Sequence, residues 1–287
     1  MWKRRIKKLL LIVALVYACN VTFIVLFQRD FMYFPNTDRP VLAESEAPEM
    51  QVVDVPTSDG LNLLAWYSPA PENAPTVLLL HGNGGNLAWR SFKARHLIDA
   101  GFGVLLLEYR GYGGNEGKPT HAGFSEDAES AYRFLLDQGV HPANMVYYGE
   151  SLGTGVAAEL AAKHPPKALI LETPYTSIAQ VAAEVYYPHI PYAKKLVKDN
   201  YDTVTALKQL QDVPVLVLHG KDDEIIPFRY GQAVFDAANE PKEFWVVEEG
   251  MHTDLSHYGA QEAINAFILA LEEKPTGKPT APASGGT

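Results

Sequence analysis

The chain opens with one long apolar stretch, and shorter apolar runs alternating with helical patterns follow it. The long stretch, Leu9–Phe27, is interrupted only by Asn20 and Thr22. At about 1.5 Å per residue, a helix of this length roughly spans the hydrocarbon core of a bilayer. Five of the first eight residues are Lys or Arg. The positive-inside rule therefore predicts a transmembrane anchor with a cytoplasmic N-terminus and an extracytoplasmic remainder.

Two other interpretations of the apolar stretch stay open. A cleaved secretory signal has an apolar region of about 7–15 residues and a small-residue cleavage site. The stretch here is longer, and no such site follows Phe27. A lipoprotein signal would end at Cys19, but the bulky Tyr17 fits such a signal poorly. The apolar run also continues to Phe27, where a lipoprotein would have a polar segment. The uncleaved anchor is therefore favoured.

Eight short apolar runs downstream predict β-strands. The third, fourth and seventh runs are continuously apolar, which is typical of strands buried on both faces of a parallel sheet. Ser58-Asp59-Gly60 joins the first two runs and is a hairpin signal, so the sheet should open with an antiparallel pair. The runs are Gln51–Val55, Leu61–Tyr67, Thr76–Leu80, Gly103–Glu108, Met145–Tyr148, Ala168–Leu171, Pro214–Leu218 and Glu243–Val247.

Helical patterns lie between the later strands, at Ala128–Asp137, Leu152–Lys163 and Phe228–Ala238. Strand–helix alternation after an antiparallel start predicts an α/β fold with a doubly wound, mostly parallel sheet of about eight strands.

One globular unit accounts for this pattern. The Pro, Thr, Gly and Ser content after residue 273 indicates a disordered tail, because such a segment buries too little apolar surface to offset its ordering entropy. The predicted divisions are a basic cytoplasmic tail (1–8), a transmembrane signal-anchor helix (9–27), a linker (28–49), the α/β domain (50–273) and the disordered tail (274–287).

Charge and cysteine content exclude two classes of protein. Residues 1–29 carry six cations and no acid, which leaves 18 basic against 34 acidic residues in the remainder. An acidic body of this kind repels phosphate backbones, so no nucleic-acid partner is expected. The single cysteine, Cys19, excludes an intrachain disulfide scaffold.

The fifth strand runs directly into Gly149-Glu150-Ser151-Leu152-Gly153, and a helical pattern follows at once. This is a G-x-S-x-G turn between a strand and a helix, which exposes the serine at a helix N-terminus. Glycines are needed where the strand and helix backbones come close together. Ser151 is therefore the predicted nucleophile.

A serine nucleophile needs a base, and the base needs an acid to orient it. His252 follows the last predicted strand and is the predicted base, whereas His257 looks like the start of a closing helix. Asp223 follows the seventh strand and is the predicted acid. Asp222 is the main alternative as the acid. Otherwise Asp222 and Glu224 are solvated, or they cap the start of a helix before Pro227. The chain order Ser–Asp–His supports these assignments.

A glycine-rich turn, His81–Asn86, follows the third strand. Glycines let the backbone approach a tetrahedral intermediate, so the backbone N–H groups of Asn83 and Leu152 are the predicted oxyanion-hole donors. Nucleotide binding is not favoured, because neither G-x-G-x-x-G nor G-K-[ST] is completed. No metal or organic cofactor is expected, since no cluster of His, Cys or carboxylates has ligand spacing.

Together these residues resemble the α/β-hydrolase superfamily. More narrowly, the chain is similar to single-pass, membrane-anchored hydrolases that range from bacteria to eukaryotic protein depalmitoylases, a group whose members are often called serine aminopeptidase-like. The resemblance implies a serine hydrolase acting on carboxylic esters or thioesters. The matching segments are Tyr33–Pro35, His81–Asn86, Tyr109–Gly113, Gly149–Gly153, Glu172–Ser177, His219–Pro227 and Gly250–His252.

Caps in this fold usually lie between the sixth and seventh strands, here Glu172–Val213, a segment too short for a large lid domain. Its aromatic run leads to the hypothesis that Tyr175, Tyr186 and Tyr187 wall an acyl-binding pocket beside the membrane. Packing of a short cap against the sheet is the alternative. The predicted substrate is a small-molecule or lipid-like acyl compound, and the oligomeric state stays open.

Two other functions remain possible from sequence. The same triad serves serine peptidases and acyltransferases, and a catalytically silent hydrolase fold could act as a membrane-tethered binding protein.

Overall fold

An eight-stranded sheet forms the centre of the protein in a computed structural model, which describes residues 2–273. All eight predicted strands are present, with ends shifted by no more than two residues. The strands are β1 (Gln51–Pro56), β2 (Asn62–Ser68), β3 (Thr76–Leu80), β4 (Gly103–Leu107), β5 (Met145–Glu150), β6 (Ala168–Glu172), β7 (Val215–Gly220) and β8 (Lys242–Val247).

The strand order across the sheet is β8-β7-β6-β5-β3-β4-β2-β1. β1 pairs antiparallel with β2, and β2 pairs antiparallel with β4, while every other pair is parallel. All residues of β3, β4 and β7 are buried, as their continuous apolar sequences predict. The predicted α/β fold class and its antiparallel opening are confirmed.

Helices cover both faces of the sheet. α2 and α9 pack with one apolar cluster, and α3, α4 and α8 pack with the other. The α-helices are α1 (Trp2–Phe27), α2 (Ser91–Asp99), α3 (His121–Asp137), α4 (Leu152–Lys163), α5 (Ile178–Val181), α6 (Ala193–Leu196), α7 (Thr203–Leu207), α8 (Arg229–Ala237) and α9 (Ala260–Glu273).

Two helix starts differ from the sequence expectation. α3 begins seven residues earlier, because the Thr120 side chain accepts a hydrogen bond from the Gly123 N–H and caps the helix there. The closing helix does not start at Leu255. Leu255–Tyr258 is a single 3-10 turn that ends at Gly259, whose φ of 93° breaks the helix before Ala260. The other 3-10 turns are Leu42–Glu44, Leu87–Arg90 and Pro142–Asn144.

α1 is long and apolar enough to cross a membrane. It has 26 residues, and its most apolar window has a mean hydropathy of 2.7. After it, Phe34–Pro35 pairs in parallel with Gly84–Gly85, and Tyr33 and Ala47 are buried. The segment between α1 and β1 is therefore packed along the domain. The predicted tail, 274–287, lies outside the described residues.

The segment between β6 and β7 forms a small cap. It contains α5, a π-helical turn at Ala182–Tyr186, α6 and α7. The cap stands at the end of the sheet where the parallel strands finish, which is the edge at which α/β folds place ligands.

A buried ion cluster lies beneath the same edge. Lys93 Nζ is 2.7 Å from Glu150 Oε2 and 2.5 Å from Glu172 Oε2, and the Tyr148 hydroxyl also donates to Glu172. Burial by itself lowers the pKa of Lys93, but the charges of Glu150 and Glu172 outweigh burial and raise the pKa above its ordinary value. The lysine is therefore held as a cation that neutralises the glutamates at the ends of two central strands.

Replacing Lys93 with methionine should destabilise the fold strongly. The substitution removes the cation that pairs with two buried carboxylates. Removal of one partner of a buried ion pair lowers stability by about 3–5 kcal/mol. The free energy of unfolding of the full chain in detergent, measured by denaturant titration, checks this. Lys221→Met is the matched control, because Lys221 pairs with Glu248 in solvent and should cost less than about 1 kcal/mol. Equal losses in the two variants would contradict the structural role given to the cluster.

Candidate active site

Ser151 occupies the sharp turn between β5 and α4. Its φ of 50° lies in the left-handed region, which a serine adopts only when its surroundings enforce it. A Cβ at Gly149 would overlap the Gly153 carbonyl oxygen, and a Cβ at Gly153 would overlap the Leu80 carbonyl oxygen. The two glycines thus allow α4 to start directly against β5 and β3, and this close approach holds Ser151 out at the sheet edge.

His252 and Asp223 meet Ser151 at this edge. His252 Nε2 lies 2.9 Å from Ser151 Oγ, and His252 Nδ1 lies 2.8 Å from Asp223 Oδ2. Since a carboxylate only accepts hydrogen bonds, the Asp223 contact favours the tautomer with its proton on Nδ1. Nε2 then carries the lone pair that faces the serine hydroxyl.

Asp223 is buried and fully engaged. Its Oδ1 accepts the backbone N–H groups of Ile225 and Ile226 at 2.9 and 2.7 Å, and its Oδ2 is also 3.2 Å from His219 Nε2. Burial by itself raises the pKa of Asp223, but hydrogen bonds from His219, His252 and the backbone outweigh burial and hold the pKa below its ordinary value. The carboxyl is therefore ionised at neutral pH.

Asn83 lies on the glycine-rich turn after β3, opposite the start of α4. Its carbonyl oxygen accepts the Tyr112 hydroxyl at 2.8 Å and the Phe34 N–H at 2.9 Å, and its side chain donates to the Met32 carbonyl at 2.9 Å. Residues just after α1 therefore hold this turn in place.

Arg90 links the same turn to the serine turn. Its Nη1 donates to the Gly84 carbonyl at 2.7 Å, and its Nη2 donates to Glu150 Oε1, also at 2.7 Å. Glu150 immediately precedes Ser151. The spacing between the turn of Asn83 and the nucleophile thus depends on one buried arginine.

A cavity of about 530 Å³ opens over Ser151 and His252, a size within the usual range of ligand sites. Asn83 and Leu152 lie in its wall, as do all three tyrosines of the predicted pocket, Tyr175, Tyr186 and Tyr187. None of the described residues lining it is Asp, Glu, Lys or Arg. The structure therefore brings every predicted site residue except Asp223 to the wall of one apolar cavity, and Asp223 lies behind His252.

The alternatives weighed from sequence lie elsewhere. Asp222, Glu224 and His257 are exposed, and the Glu224 side chain only accepts the backbone N–H of His252. His219, which was not among the predicted site residues, contacts the Ile226 carbonyl in its own loop at 2.8 Å and also lies 3.2 Å from Asp223 Oδ2. Within residues 2–273 no group of three His, Cys, Asp or Glu side chains is arranged to hold a metal ion.

Sequence reasoning also missed one wall of the cavity. Ile24, Val25 and Gln28, at the end of α1, line it together with Phe31 and Met32. The sequence offered one signal that the end of α1 lies near the site. The segment Tyr33–Pro35, soon after α1, is among those that resemble α/β-hydrolases.

Comparisons with known proteins agree with the fold described above. A family model described as alpha/beta hydrolase fold matches residues 75–189. The chain is 40% identical over 265 residues to an uncharacterized protein of Mycobacterium tuberculosis, with 91% of this chain and 93% of that protein aligned. It is 33% identical over 217 residues to human alpha/beta hydrolase domain-containing protein 17B, with 74% of this chain and 73% of the human protein aligned.

Among solved structures, an esterase of Pyrococcus furiosus superposes with a TM-score of 0.64 at 17% identity. The superposition covers 84% of this chain and 98% of the esterase. At this identity the likeness concerns the fold alone.

Gly153→Ala should prevent the turn at Ser151 from closing. The added methyl group would overlap a backbone oxygen of β3, which cannot rotate away, so we expect a loss of at least about 2–3 kcal/mol of stability. Thermal unfolding of the full chain in detergent measures the loss. Gly84→Ala is the control, because a Cβ there meets open space and should change stability by less than about 0.5 kcal/mol. A Gly153→Ala protein as stable as the control would refute the close approach.

Proposed function

The chain belongs to the α/β-hydrolase family, and from that premise we propose that it is a serine hydrolase that cleaves carboxylic esters or thioesters. The observation that carries the proposal is the continuous hydrogen-bond chain that runs from Asp223 through His252 to Ser151 Oγ, with Ser151 and His252 in the wall of an apolar cavity. The nucleophile, the base and the acid that acyl transfer needs are within hydrogen-bond distance of one another.

In the first half of the proposed reaction, Ser151 Oγ attacks the acyl carbon while its proton passes to His252 Nε2. Asp223 keeps the imidazole in position and stabilises the imidazolium that forms. The carbonyl oxygen becomes an oxyanion, which the backbone N–H groups of Asn83 and Leu152 stabilise, each by about 3 kcal/mol. His252 then returns the proton to the leaving alcohol or thiol, and the acyl group stays on Ser151.

In the second half, a water molecule attacks the acyl carbon. His252 takes one proton from the water, and the second tetrahedral intermediate forms in the same oxyanion hole. Collapse of this intermediate breaks the bond to Ser151 Oγ, which recovers its proton from His252. The products are the free acid and the starting enzyme.

We also propose that α1 anchors the enzyme in a membrane, with the N-terminus in the cytoplasm and the catalytic domain outside it. The apolar length of α1 and the cluster of cations at its start support this arrangement. Tyr175, Tyr186 and Tyr187 then wall an acyl pocket close to the bilayer.

Labelling by a fluorophosphonate probe tests the nucleophile. The full chain in detergent should be labelled, because an activated serine attacks phosphorus as it attacks an acyl carbon. Ser151→Ala should abolish labelling, and His252→Ala should slow it by at least about a thousandfold. In-gel fluorescence after timed exposure measures both rates.

The outcomes of labelling separate the alternatives. Equal labelling of Ser151→Ala would mean that another residue is the nucleophile. A folded wild-type protein that is not labelled would contradict the proposal and favour a binding role for the fold.

Asp223→Asn should lower kcat/KM for an activated ester on the order of 10⁴-fold. The amide can present its NH₂ group to Nδ1, which favours the tautomer with its lone pair away from Ser151. Asp222→Asn is the matched control, since Asp222 is the exposed neighbour and should change kcat/KM by less than about twofold. Steady-state hydrolysis of a nitrophenyl ester measures both. A large loss in Asp222→Asn would reverse the assignment of the acid.

A further inference from the structure

The end of α1 forms one side of the cavity over Ser151. Ile24, Val25 and Gln28 are half-buried and line the cavity, whereas Leu26 and Phe27 on the same turns are exposed. This spacing is one face of a helix. One apolar face of the helix therefore lines the site, and the residues on its other faces are exposed.

Polar contacts fix that end of the helix against the cap. Arg29 binds Asp199 through two hydrogen bonds, at 2.6 and 3.0 Å. The Gln28 side chain donates to the Leu196 carbonyl at 3.2 Å and accepts the Lys198 N–H at 2.7 Å. Burial raises the pKa of Asp199, but Arg29 and the His121 N–H outweigh it and hold the pKa below its ordinary value. The helix end is thus tied to a charged, buried partner.

The cap also reaches back along the helix. The Tyr17 hydroxyl donates to the His189 carbonyl at 3.1 Å. Tyr17 precedes the last residue of α1 by ten positions, which is about 15 Å along a helix axis. A bilayer has a hydrocarbon core about 30 Å thick, so the cap turn around His189 extends over the depth of one leaflet.

The sequence of the cap turn suits that depth. Residues 186–193 (YYPHIPYA) contain no Asp, Glu, Lys or Arg. Pro188 and Pro191 have no N–H groups to leave unsatisfied in hydrocarbon. Tyr186 and Tyr192 are 50% and 77% exposed, and tyrosine is enriched at membrane interfaces.

Cations follow the cap turn directly. Lys194, Lys195 and Lys198 are exposed, and their long side chains can reach the headgroup level while the apolar turn lies deeper. The turn and its lysines therefore have the composition of a segment that enters one leaflet.

We propose, on the basis of the serine hydrolase function above, that α1 and the cap turn 186–193 together form an entrance immersed in the bilayer. Through it, the long acyl chain of a membrane amphiphile passes between α1 and the cap to reach Ser151. The helix is then part of the substrate site as well as an anchor, and Ile24 and Val25 determine acyl-chain specificity. The uncharged cavity lining matches an aliphatic chain and offers no ion pair to a charged acyl group.

The first experiment tests the helix wall. The full chain hydrolyses nitrophenyl hexadecanoate embedded in phosphatidylcholine vesicles and water-soluble nitrophenyl butanoate, and the readout is the ratio of the two kcat/KM values. Ile24→Trp fills the cavity and should lower this ratio by about tenfold or more, in vesicles and in detergent alike. Leu26→Trp, on an exposed face of the same turn, is the control and should leave the ratio unchanged.

The second experiment tests entry from the bilayer. Tyr192→Asp places a charge on the exposed tip of the cap turn and should lower the ratio by about tenfold in vesicles but not in detergent. Leu136→Asp, which places the same charge on an exposed apolar site of α3, is the control.

Fluorophosphonate labelling of every variant shows whether the catalytic serine remains reactive, so failure of this inference is separable from failure of the proposed function. Labelled proteins in which Ile24→Trp keeps the wild-type ratio would overturn the helix wall. Labelled proteins in which Tyr192→Asp has no effect in vesicles would overturn bilayer entry. A third outcome is that the wild type hydrolyses a hydrophobic peptide, and that Ile24→Trp blocks this hydrolysis but leaves the ester ratio unchanged. This outcome would mean that the cavity binds a polypeptide, and it would overturn the proposal. An unlabelled wild type would overturn both proposals together.

Discussion

Backbone contact between β5, β3 and the first turn of α4 leaves no space for a side chain at Gly149 or Gly153. Ser151, between them, is held in a left-handed conformation, and its N–H donates to the Glu172 carbonyl of β6 at 2.9 Å. The nucleophile is therefore fixed by β5 and α4, which it joins, and by its hydrogen bond to β6, at the edge where the parallel strands end. Since β3, β7 and β8 end at the same edge, the turns that follow them carry Asn83, Asp223 and His252 to the vicinity of Ser151.

The stability of this edge and its chemistry depend on the same charges. Glu150 ends β5, which leads into the serine turn, and Glu172 ends the neighbouring strand β6. Lys93 and Arg90 neutralise these two carboxylates. Arg90 also holds the Gly84 carbonyl, so the charge cluster that stabilises the sheet edge sets the position of the glycine-rich turn. A buried ion pair is weak evidence for stability alone, because desolvation offsets its attraction. Here the cluster also fixes geometry, which an apolar replacement of similar volume would not do.

The apolar runs were sufficient to predict the strands, and the strand ends were sufficient to place Ser151 and His252 at one edge of the sheet, since these features depend on local patterns. The choice of Asp223 over Asp222 depended on position in the chain alone, because only the packed loop shows that Asp223 is buried and Asp222 exposed. α2 was missed for a related reason. Lys93 occupies a buried position in it, so the apolar periodicity that would have revealed the helix is interrupted by a residue whose partners lie far away in sequence. The packing of residues 28–49 was missed because short irregular segments carry no period.

The role in the substrate site that we propose for α1 is not visible in its composition. A helix that is apolar on every side has no polar–apolar pattern that would identify the face packed against the protein. An apolar residue beside lipid therefore cannot be distinguished by sequence from one that lines a cavity. The physical reason is that lipid tails are as apolar as the protein surface, so burying Ile24 or Val25 against the cap provides little driving force in a bilayer. Attachment of the helix must come from polar groups at its end, where Gln28 and Arg29 make their contacts. A gap between helix and cap then costs little, because an acyl chain can fill it as readily as a side chain. In the membrane setting that we propose, an anchor attached to the domain by these polar contacts therefore also leaves a path for an acyl chain to the serine.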